Sequence, residues 1–61
     1  MNRMVKILME RDGLTESEAR NEYTQLREDV LSAAEDGDFF GAEDIMLGMG
    51  FEMDYVADLF I

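Results

Sequence analysis

Residues 15–35 read TESEARNEYTQLREDVLSAAE, and the fold follows from this stretch. Thr15 is followed three residues later by Glu18, the spacing of a capping box in which each side chain closes on the other residue's backbone N–H. Glu16 and Glu18 stand where the positive end of a helix dipole favours acids. Ala19, Tyr23, Leu26, Val30 and Ala33 then recur at steps of four, three, four and three, which makes one narrow apolar seam on a helix. Glu16 and Arg20 are four apart in the favourable order, adding about 0.2–0.5 kcal/mol. Gly37 marks the end. The stretch predicts a helix of about 20 residues that spans ~30 Å, wider than the rest of so small a domain. Part of its seam is therefore expected to be exposed in a monomer and covered in a homodimer.

Working outward, residues 2–13 predict a shorter helix. Asn2 caps it, Met4, Val5 and Leu8 with Ile7 form its buried stripe, and Arg3, Lys6 and Glu10 lie toward water. Asp12-Gly13 ends it, because glycine adopts the left-handed conformation at a helix C-terminus cheaply. On the other side, Asp38 caps a third helix in which Phe39, Phe40, Ala42, Ile45, Met46, Leu47 and Met49 are apolar on more than one face. Gly41 and Gly48 weaken that helix by roughly 1 kcal/mol each relative to alanine, so it depends on tertiary packing. Gly50 closes it. Asp54 is the expected cap of a short last helix with Tyr55, Val56, Leu59, Phe60 and Ile61 as its apolar residues, and so apolar an end is expected to be docked. No repeat or low-complexity linker interrupts the chain. The fold class is all-α, a compact bundle of three to four short helices around one longer helix, with residues 1–61 as a single domain.

With 61 residues, a chain buries only about 60% of the surface its unfolded form exposes, and small domains usually add a disulfide, a metal or a partner. There is no Cys and no His, so disulfides, thiolate metal sites and the commonest transition-metal ligand are ruled out. Support from a second copy or a larger partner gains weight accordingly. A hydrophobic content of 48% is too high for a disordered acidic tail. No apolar run approaches the ~20 residues of a membrane span. Arg3 and Lys6 interrupt the apolar stretch of Met1 to Met9 and no small-residue cleavage site follows it, which is not the pattern of a signal peptide. The expected location is cytoplasmic, with no membrane association.

The net charge of -10 is confined to one half. Residues 1–27 carry all five basic residues, Arg3, Lys6, Arg11, Arg20 and Arg27, against five acids, whereas residues 28–61 carry ten acids and no base. Asp36, Asp38, Glu43 and Asp44 cluster after the long helix, but a calcium loop started at Asp36 places Phe40 fifth and Leu47 twelfth, where a bidentate Glu is required. Paired carboxylates in hydrolysis need a water-excluding pocket, for which so short a bundle has little volume. No Ser/His or Cys/His pair exists and no phosphate loop is present. The expectation is a protein with no catalytic residue, no metal and no cofactor. Direct nucleic-acid binding is disfavoured, since affinity for phosphates comes from cations, and the basic residues are expected to balance the acidic half internally.

An acidic globule can instead imitate nucleic acid in a basic cleft. A domain of this length is roughly 27 Å across, and duplex DNA of that length carries ~16 charges, so the net -10 is about 60% of the duplex density. The simpler alternative is that the acids keep a marginal domain soluble. The candidate partner-binding residues are Glu28, Asp29, Glu35, Asp36, Glu43 and Asp44, facing a basic surface of a protein partner. The six Met and six aromatic residues form the other notable group. Met46, Met49, Phe39, Phe40, Phe51 and Phe60 build a soft cluster that is expected to be core if buried and a partner surface if exposed, with core favoured.

Two resemblances bear on function. Met49-Gly50-Phe51 resembles the loop that joins the first two helices of ubiquitin-associated domains, three-helix modules that bind ubiquitin, although only about ten residues follow it here. Arg11-Asp12-Gly13-Leu14-Thr15, Glu18-Ala19, Glu52, Asp54-Tyr55 and Asp58-Leu59 together resemble small uncharacterised acidic helical proteins of bacterial phages and mobile elements, a group that tends to have Pro where this chain has Met53. That resemblance implies a small helical protein in a phage or prophage setting and no known activity, and it fits a protein that acts by binding host or phage machinery. The expected function is non-enzymatic protein binding through an acidic surface. The alternative is a self-associating structural protein that pairs through an exposed apolar seam.

Overall fold

The structure, a computed structural model, describes residues 2–59. Helix α1 runs Arg3–Asp12, α2 Glu16–Glu35 and α3 Phe39–Gly48, followed by a 3-10 turn at Met53–Tyr55 and a one-turn helix α4 at Val56–Leu59. This is an all-α bundle organised on one long helix. The caps are those that the residue types predict. The Met4 N–H donates to Asn2 Oδ1 at 2.7 Å, and Gly13 closes α1 in the left-handed conformation. At the start of α2 the capping box is complete: the Glu18 N–H donates to Thr15 Oγ1 at 3.2 Å and the Thr15 N–H to Glu18 Oε1 at 3.0 Å. The Thr15 N–H, and after it the hydroxyl, hold the Glu18 carboxylate below its ordinary range.

Paired backbone bonds end the two central helices. After α2, Gly37 N–H donates to the Ala34 carbonyl at 3.0 Å and Asp38 N–H to the Ala33 carbonyl at 2.9 Å, with Gly37 at φ +75°. After α3, Gly50 N–H donates to Leu47 at 2.9 Å and Phe51 N–H to Met46 at 3.0 Å, with Gly50 at φ +80°. Both are Schellman motifs, which need a left-handed residue at the turn and so favour glycine. Asp38 caps α3 by accepting from the Gly41 N–H at 2.9 Å. Gly41 has a structural reason beyond low helix propensity, because a Cβ there would collide with the capping Asp38 carboxylate.

The core consists of Met4, Val5 and Leu8 of α1, Ala19, Leu26 and Val30 of α2, Ala42 and Met46 of α3, Phe51, and Leu59 of α4. Helices α1 and α3 both pack on α2. The molecule measures 33 × 16 × 16 Å, so its long dimension is close to that of α2. The α2 seam is not left open: Ala19, Leu26 and Val30 are buried within the single chain, and Tyr23 and Ala33 pack half-buried against the core. The apolar surface expected to await a second copy is thus already covered by α1 and α3.

The last helix departs from expectation. Asp54 does not cap it. Asp54 lies inside the 3-10 turn, whose N-cap position is Glu52 and has no side-chain hydrogen bond. Burial of Phe51 and the Tyr55 N–H to Glu52 carbonyl bond at 3.0 Å start the winding before Asp54 is reached. A one-turn helix has no full intrahelical ladder, and this one is held from outside. The Tyr23 hydroxyl donates to the Asp58 carbonyl at 2.8 Å, and Arg27 Nε, one turn further along α2, donates to the Leu59 carbonyl at 2.7 Å. Asn2 Nδ2 also reaches the Asp58 carbonyl at 3.3 Å. The expected docking of the chain end is seen at Leu59, which is fully buried; Phe60 and Ile61 lie outside the described residues.

These contacts set two expectations. Leu26→Ala should lower the unfolding free energy by about 2–5 kcal/mol and Thr15→Ala by about 1 kcal/mol, both measured by urea unfolding. Glu18 has a depressed folded-state pKa, so its contribution is complete above its unfolded value and is lost as pH falls through the folded one. The stability gap between wild type and Glu18→Ala should therefore narrow as pH falls from neutral through and below the ordinary glutamate range, and a pH-independent gap would contradict the capping bond.

Candidate functional site

Four of the five basic residues are engaged within the fold. Arg3 pairs with Asp58 at 2.8 Å and lies over the Tyr55 ring at 4.4 Å. Arg11 binds Asp12 with two hydrogen bonds and stands over Phe51, 5.3 Å from its centroid. That hydrogen-bonded pairing raises the Arg11 pKa and lowers that of Asp12. Phe51 and Tyr55 meet edge to face at 5.3 Å, so the two guanidinium groups of α1 hold the aromatic pair that begins the C-terminal segment. Arg20 pairs with Glu16 at 3.6 Å, and Arg27 is spent on the Leu59 carbonyl.

The basic half thus balances the acidic half at only one carboxylate. Among the described residues, Asp58 is the sole acid of residues 28–59 in an ion pair. The nine others, from Glu28 to Asp54, are all exposed. Asp38 is committed to capping α3, and Asp29 accepts from Gln25 Nε2 at 3.0 Å.

The six candidate residues do not form one face. Successive helical residues are 100° apart. Glu28 and Glu35, two turns apart, lie opposite the α2 seam, whereas Asp29 lies on its flank. Glu35 is the last residue of α2 and Asp36 its C-cap, at the negative end of a helix whose last turn has no base. Two acids there oppose the dipole, at a cost of about 0.3–1 kcal/mol each, so local stability does not account for them. Glu43 and Asp44 are neighbours on the outer side of α3. The set therefore divides into the back of α2, its flank at Asp29, the corner between α2 and α3, and the outside of α3.

That outer side of α3 holds what the sequence reading missed. Phe39 is 71% exposed, Phe40 84% and Leu47 53%, so the expected Met and Phe core is only partly realised. Met46 and Phe51 are buried and Met49 is half-buried, whereas Phe39 and Phe40 point to water. The helical phase explains Phe40, whereas Phe39, seven residues before the buried Met46, shares its side and is exposed as the first residue of the helix. Ala42, Ile45, Met46 and Met49 share the inward side, which leaves Phe40 and Leu47, seven apart, on the opposite side with Glu43 and Asp44 between them. The spacing was readable, but with apolar residues on both sides it did not show which side faced α2. Met49-Gly50-Phe51 serves here as the C-terminal closure of α3, with the Phe51 ring inside the core.

Among the described residues there is no pocket, no group of three or more acidic side chains placed to hold a metal ion, and no helix long and apolar enough to cross a membrane. Compared with family models, with curated proteins and with solved structures, the chain matches none.

The division of α3 gives a direct stability test. Phe40→Ser and Leu47→Ser should stay within about 0.5 kcal/mol of wild type in urea unfolding, while Met46→Ala on the inner side should lose about 2–5 kcal/mol. A large loss at Phe40 would mean that its ring packs in the fold.

Proposed function

We propose that this protein is a non-enzymatic binding module whose acidic half engages a basic surface on a protein partner. The observation that carries this reading is the distribution of unpaired charge. Nine exposed acids of residues 28–59 have no ion-pair partner among the described residues, and two of them stand at a helix end that they destabilise. Soluble proteins do carry excess charge, but solubility alone asks for dispersed charge of either sign and not for ten acids in one half. The field of such a surface steers a basic partner toward it and repels phosphates. A nucleic-acid-binding protein in a phage or prophage setting, acting in the cytoplasm, suits both this chemistry and the resemblance carried by residues 11–19 and 52–59. Glu28, Asp29, Glu35, Asp36, Glu43 and Asp44 are the proposed contacts, distributed over the back and flank of α2, its C-terminal corner and the outside of α3.

The test is capture from bacterial extract by the immobilised chain at two ionic strengths. A partner held at ~0.1 M salt should be released at ~0.5 M, where exposed charges more than a few ångströms apart are screened. The joint variant Glu28→Gln, Glu35→Gln, Glu43→Gln, Asp44→Asn should weaken capture at ~0.1 M to a similar degree. A partner retained at high salt and by the neutralised variant would overturn the electrostatic reading.

A further inference from the structure

The outer face of α3 combines two features that are each ordinary alone. Phe40, one of the largest apolar side chains in the protein, stands 84% exposed on the same side as a 53% exposed Leu47, and Phe39, 71% exposed, lies a quarter-turn away at the start of the helix. On the same face Glu43 and Asp44, both exposed, lie one turn from Phe40 and one turn from Leu47. Gly48 adds a third feature: a Cβ there would meet open space, so no crowding within the fold requires glycine.

We infer that this face docks a basic amphipathic helix of a partner protein, with Phe40 and Leu47 receiving its apolar stripe and Glu43 and Asp44 pairing with its flanking Lys or Arg. This rests on the acidic-surface reading above and specifies where and in what form the partner is met. Amphipathic helices are recognised through anchors at helical spacing laid on an apolar surface, and here the surface is itself a helix of about 15 Å, enough for two to three turns of a partner. Charge selects the occupant. A second copy related by a twofold axis would set Glu43 and Asp44 against their own equivalents, and residues 28–61 contain no base to offer them. An anionic lipid surface or a nucleic acid would bring further negative charge to the same acids. A segment with both Lys or Arg and a leucine-like stripe meets the two demands together.

The experiment uses the full chain and two synthetic peptides of about 18 residues, about five helical turns. One is built from Leu and Lys at helical spacing, and the other is a scramble of identical composition that has no apolar face. Binding is followed by fluorescence anisotropy, with circular dichroism confirming that each protein variant is folded. The amphipathic peptide should bind at least about tenfold more tightly than the scramble, and Phe40→Ser with Leu47→Ser should remove that preference, since a few apolar anchors dominate such contacts. Glu43→Gln with Asp44→Asn should weaken both peptides and flatten the salt dependence. Equal, salt-sensitive binding of the two peptides, or binding that the Phe40 and Leu47 changes leave intact, overturns docking on α3 while leaving the acidic-surface reading standing. Failure of both peptides to bind overturns both. A dimer in sedimentation that Phe40→Ser dissolves assigns the face to a second copy and also overturns the proposal.

Discussion

Burial of the α2 seam is the interaction on which the other elements depend. Both α1 and α3 reach the core by packing on α2, and the three α2 side chains that are fully buried, Ala19, Leu26 and Val30, are small or medium in size. A narrow seam of this kind lets flanking helices approach closely, but it supplies little apolar area itself. The larger volumes come from the neighbours: Met4 and Leu8, Met46, Phe51 and Leu59. The long helix thus acts as a template whose caps and seam are fixed locally, and the other segments acquire their positions by filling the space along it. The C-terminal segment is the extreme case. It has one helical turn and no side-chain cap, and it is held by Leu59 in the core and by donors from Tyr23 and Arg27 on α2.

What was legible in the sequence follows this division. The capping box at Thr15 and Glu18, the Asn2 and Asp38 caps and the Gly37 and Gly50 closures are set by neighbours within a few residues, so residue type and spacing suffice to place them. The phase of α1 and α2 was equally readable because each has one apolar stripe. The phase of α3 was not, since apolar residues on both sides leave the choice to tertiary packing, and Phe40 fell on the solvent side despite its size while Phe39 stayed exposed as the helix's first residue. Asp54 failed as a cap for a related reason: Phe51 anchors the chain upstream and fixes where winding begins. The partners of Tyr23, Arg3 and Arg27 lie 32 to 55 residues away in the chain, and no local pattern indicates such pairs. The same holds for the candidate site. The acids were evident as an exposed excess, but their division among separate areas depends on helix phase, and the apolar part of the α3 face was hidden because a residue as large and apolar as Phe40 is ordinarily buried.

The contrast between the two halves of the chain acquires a physical meaning from these contacts. The basic residues of the first half do not form a patch. Arg3 and Arg11 lie over the Tyr55 and Phe51 rings, Arg27 holds a carbonyl, and Arg20 braces its own helix. Arg11 and Arg20 pair with Asp12 and Glu16 of the first half itself, so the contacts of Arg3, Arg11 and Arg27 that fasten the acidic half fall on two rings, one backbone oxygen and Asp58, and neutralise only Asp58 of it. Had all four been paired with acids of the second half, four of its ten negative charges would have been cancelled. Fastening without neutralising leaves the field of residues 28–58 nearly intact on a surface that also presents Phe40 and Leu47 to water. Exposed aromatics on a marginal domain invite association, and the acids beside them act against association with the protein's own copies by like-charge repulsion. On the reading proposed above, these apolar anchors flanked by negative charge would oppose self-association and favour a cationic partner through one arrangement of α3.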